Sequence, residues 1–224
     1  MAKITWAGQS CFQISVSNSK NHSADIVIDP FSDIGLKMPN VAADIVLVSH
    51  QHEDHNNIKA VKPSATDGKN AFIVAGPGEY EVKGVFIQGI SSFHDETEGK
   101  DRGQNTIYVI EAEEMKFCHL GDLGQKQLTD EQLEKIGSVD ILMIPVGGVY
   151  TIDGHEAAKI VGQIEPKMVI PMHYQLPKLT VKIEDESKFL KAMGKNSIEP
   201  VDKLTLKAST LPKEGELLVV VLKP

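Results

Sequence analysis

Cysteine, basic runs and long apolar stretches are all scarce in this sequence, and each shortage closes off a class of explanation. There are two cysteines in 224 residues, Cys11 and Cys118, each inside an apolar, strand-like segment. That is too few for a disulfide-built scaffold, and both read as small buried hydrophobes. Acidic residues outnumber basic ones, 31 to 23, for a formal net charge of −8. No five-residue stretch holds more than two basic residues, as in Lys178 to Lys182. An acidic surface repels phosphate backbones, so no nucleic-acid partner is expected. No apolar run nears the ~20 residues needed to cross a bilayer, so no membrane partner is expected either. The opening MAKITWAGQSCF lacks the apolar core of about seven residues that marks an export signal, and the expected location is the cytoplasm. A small-molecule substrate is the partner class that remains; assembly into a homo-oligomer stays open.

A repeat period and a dividing linker are also missing, so one domain over residues 1–224 is expected. A hydrophobic share of 41% and a charged share of 24% are ordinary for a globular chain. At this length folding hides roughly 70–75% of the unfolded surface, enough to need no covalent staples.

What is present is a run of short strands followed by alternating strands and helices. Strands are expected at Lys3–Ala7, Cys11–Val16 and Ala24–Asp29, with a polar loop over Ser17–Ser23 that includes His22. Ile45–Val48 is apolar without alternation, which suits a strand buried on both faces. After a polar break from Pro63 to Asn70, strands follow at Ala71–Val74, Tyr80–Val82 and Val85–Ile90, the last two hinged about Lys83 and Gly84. Asp95 to Gln104 is charged and holds two glycines, so an exposed loop is expected. Thr106–Glu111 and Met115–Leu120 pair. Thr129 caps a helix to about Ile136, and Asp153 caps one over Gly154–Ile164. Asp140–Ile144 and Met168–Pro171 are buried strands. A helix spans Asp185–Met193, and strands at Lys203–Ala208 and Glu216–Leu222 close the chain. This order suits sheets covered by helices, an α/β (α+β) class.

The chemistry is concentrated where Ile45–Val48 runs into Ser49-His50-Gln51-His52-Glu53-Asp54-His55. On extended chain, His50 and His52 point to one side and can reach one metal ion. Asp54 and His55 follow as the chain turns and can face a second ion beside the first, with a short helix expected from Asn56. Three histidines packed unpaired against a buried strand end would cost several kcal/mol, and metal binding accounts for all three at once.

This His-x-His-x-Asp-His spacing resembles the signature of the metallo-β-lactamase superfamily, and further elements occur in the order that resemblance implies. Asp29, in Val-Ile-Asp-Pro-Phe, corresponds to a strand-end aspartate that orients a ligating histidine. Asp122, in His-Leu-Gly-Asp-Leu-Gly, corresponds to a carboxylate bridging two metals. His173, in Ile-Pro-Met-His-Tyr, corresponds to the last histidine ligand. One ligand remains between residues 55 and 122, with His94 and His119 as candidates. The family's placement of this histidine at a strand end favours His94 and leaves His119 beside the site. The resemblance then implies a four-layer αββα sandwich with His50, His52 and His94 at one metal, Asp54, His55 and His173 at the other, and Asp122 between.

Such a donor set suits two divalent ions, zinc first, with iron, manganese or nickel also able to bind. Two ions about 3.5–4 Å apart can share a water, lower its pKa towards ~7 and deliver a hydroxide to a carbonyl or phosphoryl centre. Asp54 would orient that nucleophile as it ligates. His119, Tyr174 and Glu79 are polar candidates for a proton donor, each read first as structural. Gly147-Gly148 could offer backbone N–H groups to an anion but reads first as a tight turn, and Arg102 reads first as solvated. The stretches Trp-Ala-Gly-Gln-Ser-Cys-Phe, Gly-Pro-Gly-Glu-Tyr-Glu, Arg-Gly-Gln-Asn-Thr and Pro-Met-His-Tyr are similar to those of small single-domain hydrolases related to the ascorbate-phosphate lactonases. Hydrolysis of a small ester, lactone or phosphodiester is therefore expected. An iron-dependent redox enzyme and a non-catalytic metal-binding protein are the alternatives. The redox branch often carries glutamate where His52 stands, and degenerate relatives lose ligands that are complete here.

Overall fold

The computed structural model describes residues 1–17, 23–65 and 67–224. The middle of the polar loop expected after Ser17, with His22, and Thr66 of the later polar break lie outside the described residues. Strands β1 (Ala2–Gly8), β2 (Cys11–Ser17), β3 (Ser23–Ile28), β4 (Ile45–Leu47) and β5 (Phe72–Val74) form one sheet, joined by β12 (Leu204–Leu206) at the far edge of β1. A second sheet holds β6 (Gly78–Val82), β7 (Val85–Phe93), β8 (Gln104–Ala112), β9 (Met115–His119), β10 (Ile141–Pro145), β11 (Met168–Met172) and β13 (Leu218–Val219), in the order β13-β11-β10-β9-β8-β7-β6.

Period-two patterning explains the first sheet. The register pairs Ile4 with Ile14 and Ile14 with Ile26, and Trp6 with Phe12 and Phe12 with Ile28. These six side chains are buried and share one face, while Lys3, Thr5, Gln13, Ser15 and Asp25 lie on the other and are less buried. The apolar face meets the second sheet: the Phe12 ring stands edge-on to His119 of β9 at 5.8 Å, and Tyr108 of β8 donates its hydroxyl to Val48 O at 2.8 Å.

The central strands of the second sheet are buried on both faces. Every residue of β10 and β11 is buried, as the continuous apolar runs of parallel strands require. Its outer cover is α1 (Asp130–Ile136), α2 (Gly154–Ile164) and α3 (Ser187–Ala192), with α2 against β10 and α3 against α2. Thr129 Oγ1 accepts from Gln132 N, and an Asp153 carboxylate oxygen accepts from His155 N and Glu156 N, so both long helices start at the caps their sequences predict. Ala157, Ile160, Val161 and Ile164 are the buried stripe of α2.

This is a mixed α/β fold of two packed sheets and few helices, the class expected. Among the described residues, the three α-helices all follow β9. On the first sheet's outward face, Leu36 packs over Gly8 and Met38 Sδ lies 3.9 Å from Cys11 Sγ. The hairpin about Lys83 and Gly84 has φ of 52° and 76°, the positive pair that a two-residue turn between twisted strands demands. The strand expected over Glu216–Leu222 is only Leu218–Val219, because it pairs with the first two residues of β11 before Leu222 turns to bridge Val201. The short helix expected from Asn56 is a 3-10 turn at Ile58–Ala60. No helix among the described residues is long and apolar enough to cross a membrane.

Candidate metal centre

The sequence expects His50 and His52 on extended chain, with Asp54 and His55 following as the chain turns. The turn is there, with His55 N donating to His52 O at 3.0 Å, but His50 and His52 already lie in bends rather than in extended chain. The turn still sets the His50 and His52 rings edge-to-face, centroids 4.6 Å apart, and brings the His55 ring to 4.2 Å from His50. A straight strand could not put all three together.

The other donors come from the second sheet. His94 follows β7 and its ring lies 4.7 Å from His50 and 5.1 Å from His52. Asp122 follows β9, and His173 follows β11 with its ring stacked on His55 at 6.2 Å. Donor atoms within 4.8 Å of one another define three groups: His50, His52 and His94; Asp54, His55 and His173; and His50, His55 and Asp122. A single oxygen, Asp122 Oδ2, lies 3.1 Å from His173 Nε2, 3.2 Å from His55 Nε2 and 3.6 Å from His94 Nε2. It faces histidines from both of the triads that the sequence proposes.

Each donor is held from behind. Asp29, at φ 48° and fully buried, accepts from Ser49 N and Ser49 Oγ, both at 2.7 Å, and its Oδ2 is 3.1 Å from His55 Nδ1. Ser49 Oγ is in turn 2.9 Å from His50 Nδ1. Thus one carboxylate fixes two imidazoles and leaves their Nε2 atoms facing inward. Asp122 accepts from Ser10 Oγ at Oδ1 and its N–H donates to Asn105 Oδ1, both at 3.0 Å. His119 is not in any donor group: its Nε2 is 2.9 Å from Ser10 O and its Nδ1 accepts from Gly121 N at 3.1 Å, so both ring nitrogens are spent on backbone.

Electrostatics follow from burial and neighbours. Burial, with His55 beside it, depresses His50 to about 3, so its imidazole is neutral at ordinary pH. Burial also lowers His94 and His119. Burial opposes charge on His55, but the Asp122, Asp29 and Asp54 carboxylates outweigh it and raise its pKa. Burial likewise opposes the Asp122 carboxylate, and His173 with His55 hold its pKa well below the usual range. At Asp54, half-buried, the His55 contacts outweigh burial and bring the carboxyl down to about 2.

These residues fit metal ions. His50 Nε2 and His55 Nε2, which face the cluster, are buried with no hydrogen-bond partner. A buried nitrogen left unpaired costs about 1–3 kcal/mol, and an ion held by converging lone pairs removes that cost. His52 is exposed and Asp54 half-buried, so the cluster opens to solvent on their side.

A family model described as "Beta-lactamase superfamily domain" matches residues 3–173, which span β1 to His173. The chain belongs to the metallo-β-lactamase superfamily. A solved structure from Thermotoga maritima, assigned to the zinc-dependent hydrolases of this superfamily, is 38% identical, with both chains fully covered and a TM-score of 0.76. Curated relatives called metal-dependent hydrolases include one from Thermococcus onnurineus, 30% identical over 78% of this chain and 85% of its own, and one from Thermoplasma volcanium, 32% identical over 77% and 83%.

Within this metallo-β-lactamase superfamily chain, several sequence candidates sit elsewhere. Glu79 is exposed on β6, opposite Gln88. The Tyr174 ring packs on Trp6 at 5.1 Å, and burial raises its hydroxyl pKa. Gly148 N donates to Ile152 O, so that amide is spent inside its turn, and a side chain on Gly147 would collide with His173 O. The Arg102 guanidinium lies 4.7 Å over the Tyr150 ring. Residues 95–103 are knit around Asp95, which accepts the N–H groups of Thr97, Gly99, Asp101 and Arg102. Sequence reasoning passed over Gln9, Ser10, Ser49 and Asn105. The signal for the first two was a polar pair at the tip of an otherwise apolar hairpin.

Proposed function

We propose that this metal-dependent hydrolase of the metallo-β-lactamase superfamily holds two divalent ions, zinc first, and cleaves a small ester, lactone or phosphodiester. The reading rests on Asp122 Oδ2, which faces ring nitrogens of His55, His173 and His94 at 3.1–3.6 Å. On this reading His50, His52 and His94 hold one ion, Asp54, His55 and His173 hold the other, and Asp122 joins them. The pair of ions would supply a water of lowered pKa and a Lewis-acid clamp for the oxyanion.

The chain's own residues do the rest. Asp29 and Ser49 lock the His50 and His55 rings with their Nε2 lone pairs inward, so no reorientation is needed on binding. Asp54 is ionised at neutral pH and half-exposed, so its carboxylate can accept a proton-bearing oxygen and orient an attacking water. Asp122 is buried and ionised, and can offset part of the charge of two cations without leaving the site. The substrate approaches past exposed His52, where water is most easily displaced. A small-molecule substrate and a cytoplasmic setting belong to the same proposal, supported by the acidic balance and two buried free thiols.

Elemental analysis of freshly purified protein tests this directly. Close to two zinc ions per chain, with turnover of at least one member of a panel of esters, lactones and phosphodiesters, is expected. Iron in place of zinc would transfer the case to an oxidative enzyme. Protein that carries no metal and takes up none would end the catalytic account.

A further inference from the structure

Gln9 and Ser10 form the two-residue tip of the β1–β2 hairpin, between paired Gly8 and Cys11. Gln9 has φ 52° and is 1% exposed. Glycine, asparagine or aspartate adopts that conformation more readily. A glutamine there points to a task for its side chain. Its backbone is clamped: Gln9 O accepts from Trp6 Nε1 at 2.9 Å and from His173 N at 3.0 Å. The side chain therefore starts from a fixed base beside His173.

Its carboxamide ends inside the donor cluster. Gln9 Nε2 lies 2.8 Å from His173 Nε2 and 3.3 Å from Asp54 Oδ2. Gln9 Oε1 is buried and has no hydrogen-bond partner. A carboxylate oxygen and a ring nitrogen of one donor group lie against this amide end as they would lie against a cation. An N–H donor cannot keep that place once both lone pairs are turned to an ion. The amide's two ends have nearly the same shape, so turning it over exchanges nitrogen for oxygen at little steric cost. Separations of 2.8 and 3.3 Å suit neighbouring donors on one ion with bonds of about 2.0–2.2 Å.

We propose that Gln9 is a further ligand of the Asp54, His55 and His173 position, binding a divalent cation through Oε1. The inference rests on the two-ion reading above and adds one neutral, hard oxygen to one of its two positions. That makes the two positions unequal: the His50, His52 and His94 group is nitrogen-rich, while the Gln9 group mixes oxygen and nitrogen. Zinc or manganese fits the second group, and the oxygen share favours manganese there more than in the first.

The test uses full-length protein stripped of metal and titrated with zinc against a chromophoric chelator at neutral pH, for wild type, Gln9→Leu and Gln9→Glu. Wild type is expected to bind two ions. Gln9→Leu should keep the first affinity and lose about 10-fold or more in the second. Gln9→Glu, with an oxygen in the same place, should bind both. Unchanged affinities in Gln9→Leu would overturn the inference, as would a tighter second ion, which would make the side chain a plug. A wild type that binds no second ion would overturn the two-ion reading as well, which separates the two failures. A second readout needs no variant: the Gln9 side-chain amide resonances of wild type should shift with the second equivalent of zinc. Resonances that do not move at either equivalent would also sink the proposal.

Discussion

Asp29 Oδ2 lies 3.1 Å from His55 Nδ1, with both side chains fully buried, and the same carboxylate takes two hydrogen bonds from Ser49. Asp29→Ala would strand three donors in the interior. Removing one partner of such a buried pair costs about 3–5 kcal/mol. A urea melt of metal-stripped protein checks this; a loss under about 1 kcal/mol would mean that His55 finds another partner.

Asp122 faces both donor triads, so Asp122→Ala should loosen both ions. Metal content per chain is expected to fall from two to less than one after a short desalting step. A variant that still carries two has refuted the bridging role.

His94 and His119 separate cleanly. His94→Ala removes a ring beside His50 and His52, and should cost one ion while sparing the other. His119→Ala removes a ring whose nitrogens serve Ser10 and Gly121, and should lower the melting temperature with metal content unchanged. The reverse pattern would exchange the two roles.

Acid acts on the stripped protein through His50. Its folded pKa, about 3, lies below the 6.5 of an unfolded chain, so between those values the unfolded state binds more protons. Stability is then lost as pH falls through that window, by about 1.4 kcal/mol per pH unit at most, and is fully present above it. His55, with a raised pKa, works in the opposite sense in both proteins compared. His50→Asn should therefore show a shallower fall in melting temperature than wild type from neutral to acid pH. Parallel curves would mean that His50 is charged in the fold.

Burial raises the pKa of both Cys11 and Cys118, and Asp29 adds to it at Cys11. Neither should react with a disulfide reagent in native protein, and both should react after unfolding in guanidinium. Prompt reaction of native Cys11 would show that the cover provided by Met38 opens readily.

Most strands and the two capped helices were legible because each rests on a local rule. Alternation marked Ile4, Trp6, Phe12 and Ile14, and Thr129 and Asp153 announced their helices. The turn from His50 to His55 was less so: extended chain explains His50 and His52, but the bend that carries His55 to Asp29 depends on a residue far away in sequence. The donors on the second sheet came from resemblance, since nothing local to Asp122 or His173 tells a ligand from a buried polar residue. Gln9 was illegible for the same reason, being a hairpin-tip residue whose meaning comes from His173, which the sheet packing brings to it. The ends of β12 and β13 were overestimated because apolar pattern reports burial, and pairing partners decide where a strand stops.

The donors divide between the two sheets: His50 to His55 and Gln9 come from the first, and His94, Asp122 and His173 from the second. On the proposed ligand set, a growing chain meets a metal ion in two acts. The histidine-rich turn is made early and is alone able to catch an ion weakly, and the rest of the shell arrives only when β11 has been made and has docked. On that ligand set no ion has its full shell until the two sheets have packed, so tight metal binding and the packing of the sheets are one event.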